Sequence, residues 1–360
     1  MEANLNASEP YKCFEGGARL PIIQIHPSLR CNLSCRHCYS ESGPGSSTSL
    51  SLPVLLDVIA DAAKLGYRGL SVSGGEPMMY RGLGMLLAHA KSLGMVTSVT
   101  SNGYFATPKM LERLSDYLDV LAISMDGPPS IHNQMRGRSD AFERLERSID
   151  VVQGMGIKLG LVHTLTPATW EHLFWIGTFA ADNHASLLQI HPLELAGRAA
   201  VEMDDASVEF DVAGRAYVIA MALAGKYADT MAIQIDLMHR DFARNNPGLV
   251  YVTGSEQPRK SEADAPPIDI IVLQADGTLV PISYGLNAQF KICNVGDMRL
   301  VDAWPSYLRG GYQDFLNLCR EEFAEICSDT IAPVFNWTER IVLRSNRFRR
   351  GNGTGAGFPG

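Results

Sequence analysis

Three cysteines in Cys31-Asn-Leu-Ser-Cys35-Arg-His-Cys38 constrain this chain more than any other stretch. Their C-x3-C-x2-C spacing lets three thiolates converge from one compact loop. All-cysteine zinc and iron–sulfur sites normally use four such ligands, so this set is one short. An iron–sulfur cluster gripped at three corners keeps one iron open to an outside ligand, and an open iron can touch a substrate rather than only pass electrons. Two plainer readings of the spacing stand beside this one. The first is a closed zinc site completed by His37 or a distant residue; the second is three core cysteines.

A second stretch, Ser73-Gly74-Gly75-Glu76-Pro77, follows an apolar, strand-like run from Gly69 to Ser73. Alone it is a tight turn and no more. A cysteine loop after one strand and Gly-Gly-Glu-Pro after the next together resemble the radical S-adenosylmethionine (radical SAM) superfamily. The resemblance implies that Cys31, Cys35 and Cys38 ligate a [4Fe–4S] cluster. It also implies that the amino and carboxylate groups of SAM chelate the open iron, with Gly74, Gly75, Glu76 and Pro77 lining the methionine amino group. The implied chemistry is reductive cleavage of SAM to methionine and a 5′-deoxyadenosyl radical, which takes a hydrogen atom from an unactivated C–H bond.

Other SAM-side residues follow from the same resemblance. They are His37 near the adenine, Ser101 and Asn102 before Gly103, Ser124 and Asp126 in Ile-Ser-Met-Asp-Gly, Arg136, and Glu194 and Arg198 after the sixth strand. All but Ser124 and Asp126 have a structural counterpart: loop packing for His37, an αL turn at Ser101–Gly103, a helix-flanking salt bridge for Arg136, and a rim ion pair for Glu194 and Arg198.

Hydrophobic periodicity predicts strands at 20–27, 69–73, 95–100, 119–125, 157–163 and 186–191. Helices are predicted near 52–65, 81–93, 108–116, 140–154 and 169–183, between consecutive strands. Such alternation gives an α/β fold of parallel strands with right-handed crossovers, whose ligands bind at the carboxyl ends of the strands. The near-continuous apolar character of 20–27 suggests a strand covered on both faces. The resemblance makes residues 20–200 a partial (β/α)6 radical SAM barrel, preceded by a loose lead-in at 1–19.

Beyond it, 201–267 reads as a helical and irregular connector, with a helix near 205–224 and a short strand at 231–237. Residues 268–345 read as a smaller α+β extension, with a hairpin around Gln274–Gly277 and helices near 300–309 and 312–325; 346–360 reads as a disordered tail. Asp276-Gly-Thr-Leu-Val-Pro281 resembles the start of a SPASM or twitch domain, where relatives usually place a cysteine after the proline. Here Ile282 follows, and only Cys293, Cys319 and Cys327 remain. Three thiols cannot ligate two full clusters, so the extension reads as degenerate. Its cysteines read as buried small hydrophobes, as ligands of a single auxiliary cluster, or as hydrogen-atom donors to a substrate radical. The arginines at 340, 344, 347, 349 and 350 read as a solvated surface segment.

A net charge of −8 argues against general nucleic-acid binding. No apolar run reaches membrane-spanning length, and the start lacks the pattern of a secretory signal. Seven cysteines, three of them in one loop, do not form a disulfide framework, so a reducing cytoplasm is expected. The leading expectation is an enzyme cross-linking or epimerising a ribosomally made peptide, supplied by an electron donor such as flavodoxin or ferredoxin. The alternatives are radical chemistry on a small molecule, such as an aminoglycoside or cofactor precursor, and a non-catalytic, zinc-binding scaffold.

Overall fold

The computed structural model describes residues 20–204, 206, 208–252, 266–329 and 331–351. The expected lead-in at 1–19 lies outside the described residues, as does 352–360 of the expected tail. Seven parallel strands run in chain order: β1 (Ile22–Ile25), β2 (Gly69–Val72), β3 (Val96–Ser101), β4 (Val120–Ser124), β5 (Lys158–Leu165), β6 (Leu187–Pro192) and β7 (Ala232–Ile235). The crossovers are helices α1 (Leu52–Lys64), α2 (Leu83–Ser92), α3 (Pro108–Glu112), α4 (Pro129–Arg136), α5 (Ala141–Gly154), α6 (Leu173–Asp182), α7 (Ala199–Glu202) and α8 (Phe210–Lys226). This is the expected partial-barrel arrangement of parallel strands and crossover helices, extended by one strand. The stretch expected as a connector supplies that strand, because β7 pairs in parallel register with β6 and α8 is its crossover.

Burial alternates along β1, β3, β6 and β7, while β4 is buried at its first four positions. Ile23, Ile25, Val72, Val99, Ile123, Leu161, Ile190 and Ile235 join α1, α2, α5, α6 and α8 in one apolar core. Between them Gln24, Ser71, Ser98, Ser124, Gln189 and Gln234 are half-buried. Register aligns Gln24 with Ser71 and Ser71 with Ser98, and Gln189 with Gln234. The sheet therefore has a sealed apolar face and a polar face that reaches solvent. The expectation that β1 is covered on both faces fails at Gln24, which no apolar layer seals.

The remaining elements are β8 (Met238–His239), α9 (Arg240–Asn245), β9 (Ile270–Leu273), β10 (Thr278–Pro281), β11 (Cys293–Asn294), α10 (Leu300–Arg309), α11 (Gly311–Ser328), β12 (Val334–Phe335) and α12 (Trp337–Gly351). The expected hairpin is β9–β10, and it is fused to the barrel: β9 pairs in parallel with β1. A second apolar core, including Val272, Val280, Phe290, Phe315, Cys319, Phe335 and Ile341, holds the extension together.

Two expectations about the end of the chain need correction. Residues 346–351 continue α12 rather than beginning a disordered tail. Arg340 and Arg344 are not free surface charges, because both donate to the buried carboxylate of Glu322 on α11. Their other partners are Glu325 and, for Arg344, Glu321. The side chains of Arg349 and Arg350 are outside the described residues. Glu322→Ala would strip two guanidiniums of a buried partner. We expect a loss of about 2 kcal/mol in stability, read from the denaturant midpoint, with Glu322→Gln costing less.

Candidate active site

The chain leaves β1 at its carboxyl end and enters the cysteine loop. Cys31 and Cys35 are buried, Cys38 is half-buried, and all six described cysteines are free. Cys31 Sγ accepts from the Leu33 N–H at 3.4 Å and faces Asn102 Nδ2 at 3.7 Å. Cys35 Sγ faces Arg136 Nη1 at 3.7 Å, and Cys38 Sγ lies 3.6 Å from Ser40 Oγ. Burial pushes the Cys31 thiol up to about 12 and raises Cys35 as well, so ligation must displace their protons.

The Gly-Gly-Glu-Pro turn is locked against this loop. Gly75 N–H donates to Ser28 O and Glu76 N–H to Arg30 O, both at 2.9 Å. Gly74 holds φ +108°, and a Cβ there would sit 2.7 Å from Ser28 O; one on Gly75 would sit 2.2 Å from Arg30 O. Glycine is required at both positions by close backbone approach. Pro77 opens a short 3-10 turn, Pro77–Met79. The Glu76 carboxylate is buried and accepts from Met78 N–H (3.0 Å), Ser101 Oγ (2.9 Å) and Asn102 N–H (2.9 Å). Burial raises its pKa against those three donors. Glu76 and Ser101 thus tie the turn to the end of β3, and Asn102 bridges onward to Cys31 and to Asn32 Oδ1 at 2.9 Å.

On the other side Arg198 clamps the loop. Its Nη1 and Nη2 donate to Cys35 O and Ser42 O, each at 2.8 Å, and its backbone N–H to Cys38 O at 2.9 Å. The φ of +55° at Gly197 lets the backbone pass there, since a Cβ would meet Tyr39 O at 2.4 Å. The structure thus engages Arg198 with the cysteine loop backbone. Glu194 is half-buried, and burial lifts its carboxyl to about 7 against the pull of His191.

Asp126, at the end of β4, is fully buried. Arg136 grips it with both Nε (2.6 Å to Oδ2) and Nη2 (3.0 Å to Oδ1), a buried two-pronged ion pair. His37 Nε2 lies 3.6 Å from Asp126 Oδ1. Burial lowers His37 to about 4, so its ring is neutral at pH 7, and its Nδ1 has no partner among the described residues. His132 Nδ1 accepts the Asp126 backbone N–H at 3.1 Å. Ser124 is half-buried at the last position of β4.

The extension's cysteines are not gathered at this site. Cys293 packs in the barrel core, where its charged neighbours are Lys291, Asp297 and Asp61; Cys319 lies in the second core on α11. Cys327 is near the end of α11, and its carbonyl accepts from Arg244. What the extension brings to the mouth is Tyr284, stacked on His26 at 4.7 Å and edge-on to Tyr39 at 5.2 Å. It is reached through Ile282, whose φ of +55° is rare for a β-branched residue.

Sequence reasoning missed the half-buried ion pair of His191, on β6, with Asp236, just after β7. The polar alternation Gln189–His191 carried the signal. Burial lowers the His191 pKa, but Asp236 and Glu194 outweigh it and the net shift is upward. A raised folded-state pKa adds stability that is present below pH 6.5 and lost as pH rises through the folded value. Exposure to solvent keeps that contribution small. We expect an NMR titration midpoint above 6.5 for His191, falling back in Asp236→Asn.

The donor set fits an iron–sulfur cluster: three soft thiols on one loop, with N–H groups aimed at two of them and a side-chain-free turn beside them. Among the described residues no three His, Cys, Asp or Glu side chains come close enough to share one ion.

The fold and site define a class: a parallel β/α partial barrel with an incomplete cysteine ligand set at the carboxyl end of its first strand. Residues 25–174 match the Radical SAM superfamily model. The cofactors of that family are a [4Fe–4S] cluster and SAM. The chain is 32% identical over 147 residues to Fe-coproporphyrin III synthase of Methanosarcina barkeri, covering 40% of this chain and 37% of the relative. It is 28% identical over 198 residues to the mycofactocin maturase MftC of Mycolicibacterium smegmatis, covering 53% and 50%. The matched stretch thus spans half or less of these curated relatives. In fold it is similar to Streptococcus suis SuiB bound to the precursor peptide SuiA, with a TM-score of 0.65 and 16% identity over 87% of this chain and 75% of that one.

Proposed function

We propose that this chain is a radical SAM enzyme that cross-links or epimerises a ribosomally made peptide. The observation that carries this reading is the cysteine loop, clamped by the Gly-Gly-Glu-Pro turn and by Arg198, with its three thiols free. When bound, the cluster and SAM supply a carbon-centred radical that takes a hydrogen atom from a substrate C–H bond. The chain's own part is to hold and orient. Leu33 N–H and Asn102 orient Cys31, Arg198 fixes the loop backbone at Cys35, Cys38 and Ser42, and Gly74 and Gly75 let the turn close onto the loop backbone at Ser28 and Arg30. The amides and hydroxyls of Gln24, Ser71, Ser98 and Gln189 on the open sheet face suit the donors and acceptors of a peptide backbone.

The peptide assignment is supported by the likeness to MftC and to the peptide-bound fold of SuiB. A low-potential donor such as flavodoxin or ferredoxin would supply the electron. Among the described residues no helix is long and apolar enough to cross a membrane. The test is anaerobic turnover with SAM and a strong reductant, with and without short peptides encoded beside the gene. We expect one peptide to raise 5′-deoxyadenosine release and to be recovered altered in mass or stereochemistry. Stimulation by a small molecule and by no peptide would overturn the peptide assignment; no 5′-deoxyadenosine under any condition would overturn the enzyme.

A further inference from the structure

Arg136 closes α4, and Gly137 ends that helix in the left-handed conformation at φ +66°. The guanidinium has three nitrogens, and Asp126 occupies two of them, Nε and Nη2. The third, Nη1, is 3.7 Å from Cys35 Sγ. Arg136 is 8% exposed and Asp126 0%, so water screens neither group appreciably. The pair is a dipole whose positive end lies against a cysteine ligand and whose negative end lies behind it. Asp126 is held in turn by its backbone N–H to His132 Nδ1 and lies beside His37, the neighbour of Cys38. A bare guanidinium at this distance would act as a full counter-charge; paired with Asp126, it offers one directed N–H and a small net field.

We propose that the Arg136–Asp126 pair tunes the Cys35 ligand, the Arg136 N–H stabilising the electron-rich sulfur of the reduced state and so raising the reduction potential of a cluster held by the triad. This rests on the reading of Cys31, Cys35 and Cys38 as cluster ligands. Reduction adds negative charge that is shared with the ligand sulfurs, and hydrogen bonds to those sulfurs favour the reduced form. Arg136 is here a positioning residue: it acts through Cys35 and need not touch SAM or substrate.

Two variants separate tuning from bracing. Arg136→Lys keeps the charge, but one ammonium cannot reproduce the two-pronged grip on Asp126 and still reach the sulfur. The double variant Arg136→Gln with Asp126→Asn removes both charges together and leaves no unpaired ion. Both are reconstituted anaerobically as the full chain, assayed for iron, and titrated spectroelectrochemically without SAM. We expect wild-type iron content and a lower midpoint potential, with a roughly tenfold weaker hold on the added electron in the double variant, about 59 mV for one electron. An unchanged midpoint in both variants at full iron content would overturn the proposal. Loss of iron from both would overturn it too, by making the pair a structural brace. If the wild-type chain itself takes up no iron, it is the ligand reading that has failed.

Discussion

Asp126→Ala should cost about 3–5 kcal/mol of stability, because it leaves the Arg136 guanidinium buried without its carboxylate. Asp126→Asn should cost less, since the amide keeps an acceptor for one guanidinium N–H. The ion pair also predicts an acid dependence. Burial alone would raise the Asp126 pKa, but the Arg136 guanidinium and the neighbouring His37 and His132 outweigh it and hold the carboxyl well below its usual range. A lowered folded-state pKa contributes stability that is present above the unfolded value and lost as pH falls through the folded one. Urea midpoints measured from neutral pH downward should therefore decline more gently in Asp126→Asn than in the wild type. Parallel decline in the two would mean that the carboxylate is not the group responsible.

The second large effect is expected at Gly75. A Cβ there would lie 2.2 Å from Arg30 O and 2.6 Å from Arg30 C, backbone atoms that cannot swing aside as a flexible side chain can. Gly75→Ala must push the turn off the cysteine loop and weaken the bonds from Gly75 N–H to Ser28 O and from Glu76 N–H to Arg30 O. We expect a loss of about 3 kcal/mol, the upper end of ordinary overpacking, together with poor iron retention after desalting. Gly84→Ala on α2 is the control. Its nearest neighbour is a leucine methyl at 3.5 Å, so iron retention there should match the wild type.

The elements that the sequence declared were those whose signal is local. The alternation of strand and helix, the cysteine loop and the glycine turn each depend on a few adjacent residues, and each stands where it was expected. Two local signals were overlooked. Pro129 at the first position and Gly137 just past the end mark α4. Asn336-Trp-Thr-Glu339 is a helix-start pattern for α12, with Asn336 Oδ1 accepting from Glu339 N–H at 3.2 Å.

Partnership was far less legible. Nothing in the surroundings of Arg198 and Arg136 in the chain says that one clamps a loop more than 150 residues away while the other grips Asp126. The same holds for β7. Ala-Ile-Gln-Ile reads as a strand, but only the register against β6 makes it part of the barrel. Ile282 shows what the extension keeps without a cysteine there: a turn at φ +55° that carries Tyr284 to His26 and Tyr39.

Everything here depends on what Cys31, Cys35 and Cys38 hold. The most direct measurement is metal content after anaerobic incubation with iron and sulfide, in the wild type and in a variant with all three changed to alanine. The account predicts about four irons per wild-type chain, the content of one [4Fe–4S] cluster, and none in the variant. Zinc in place of iron, or equal iron in both proteins, would contradict it.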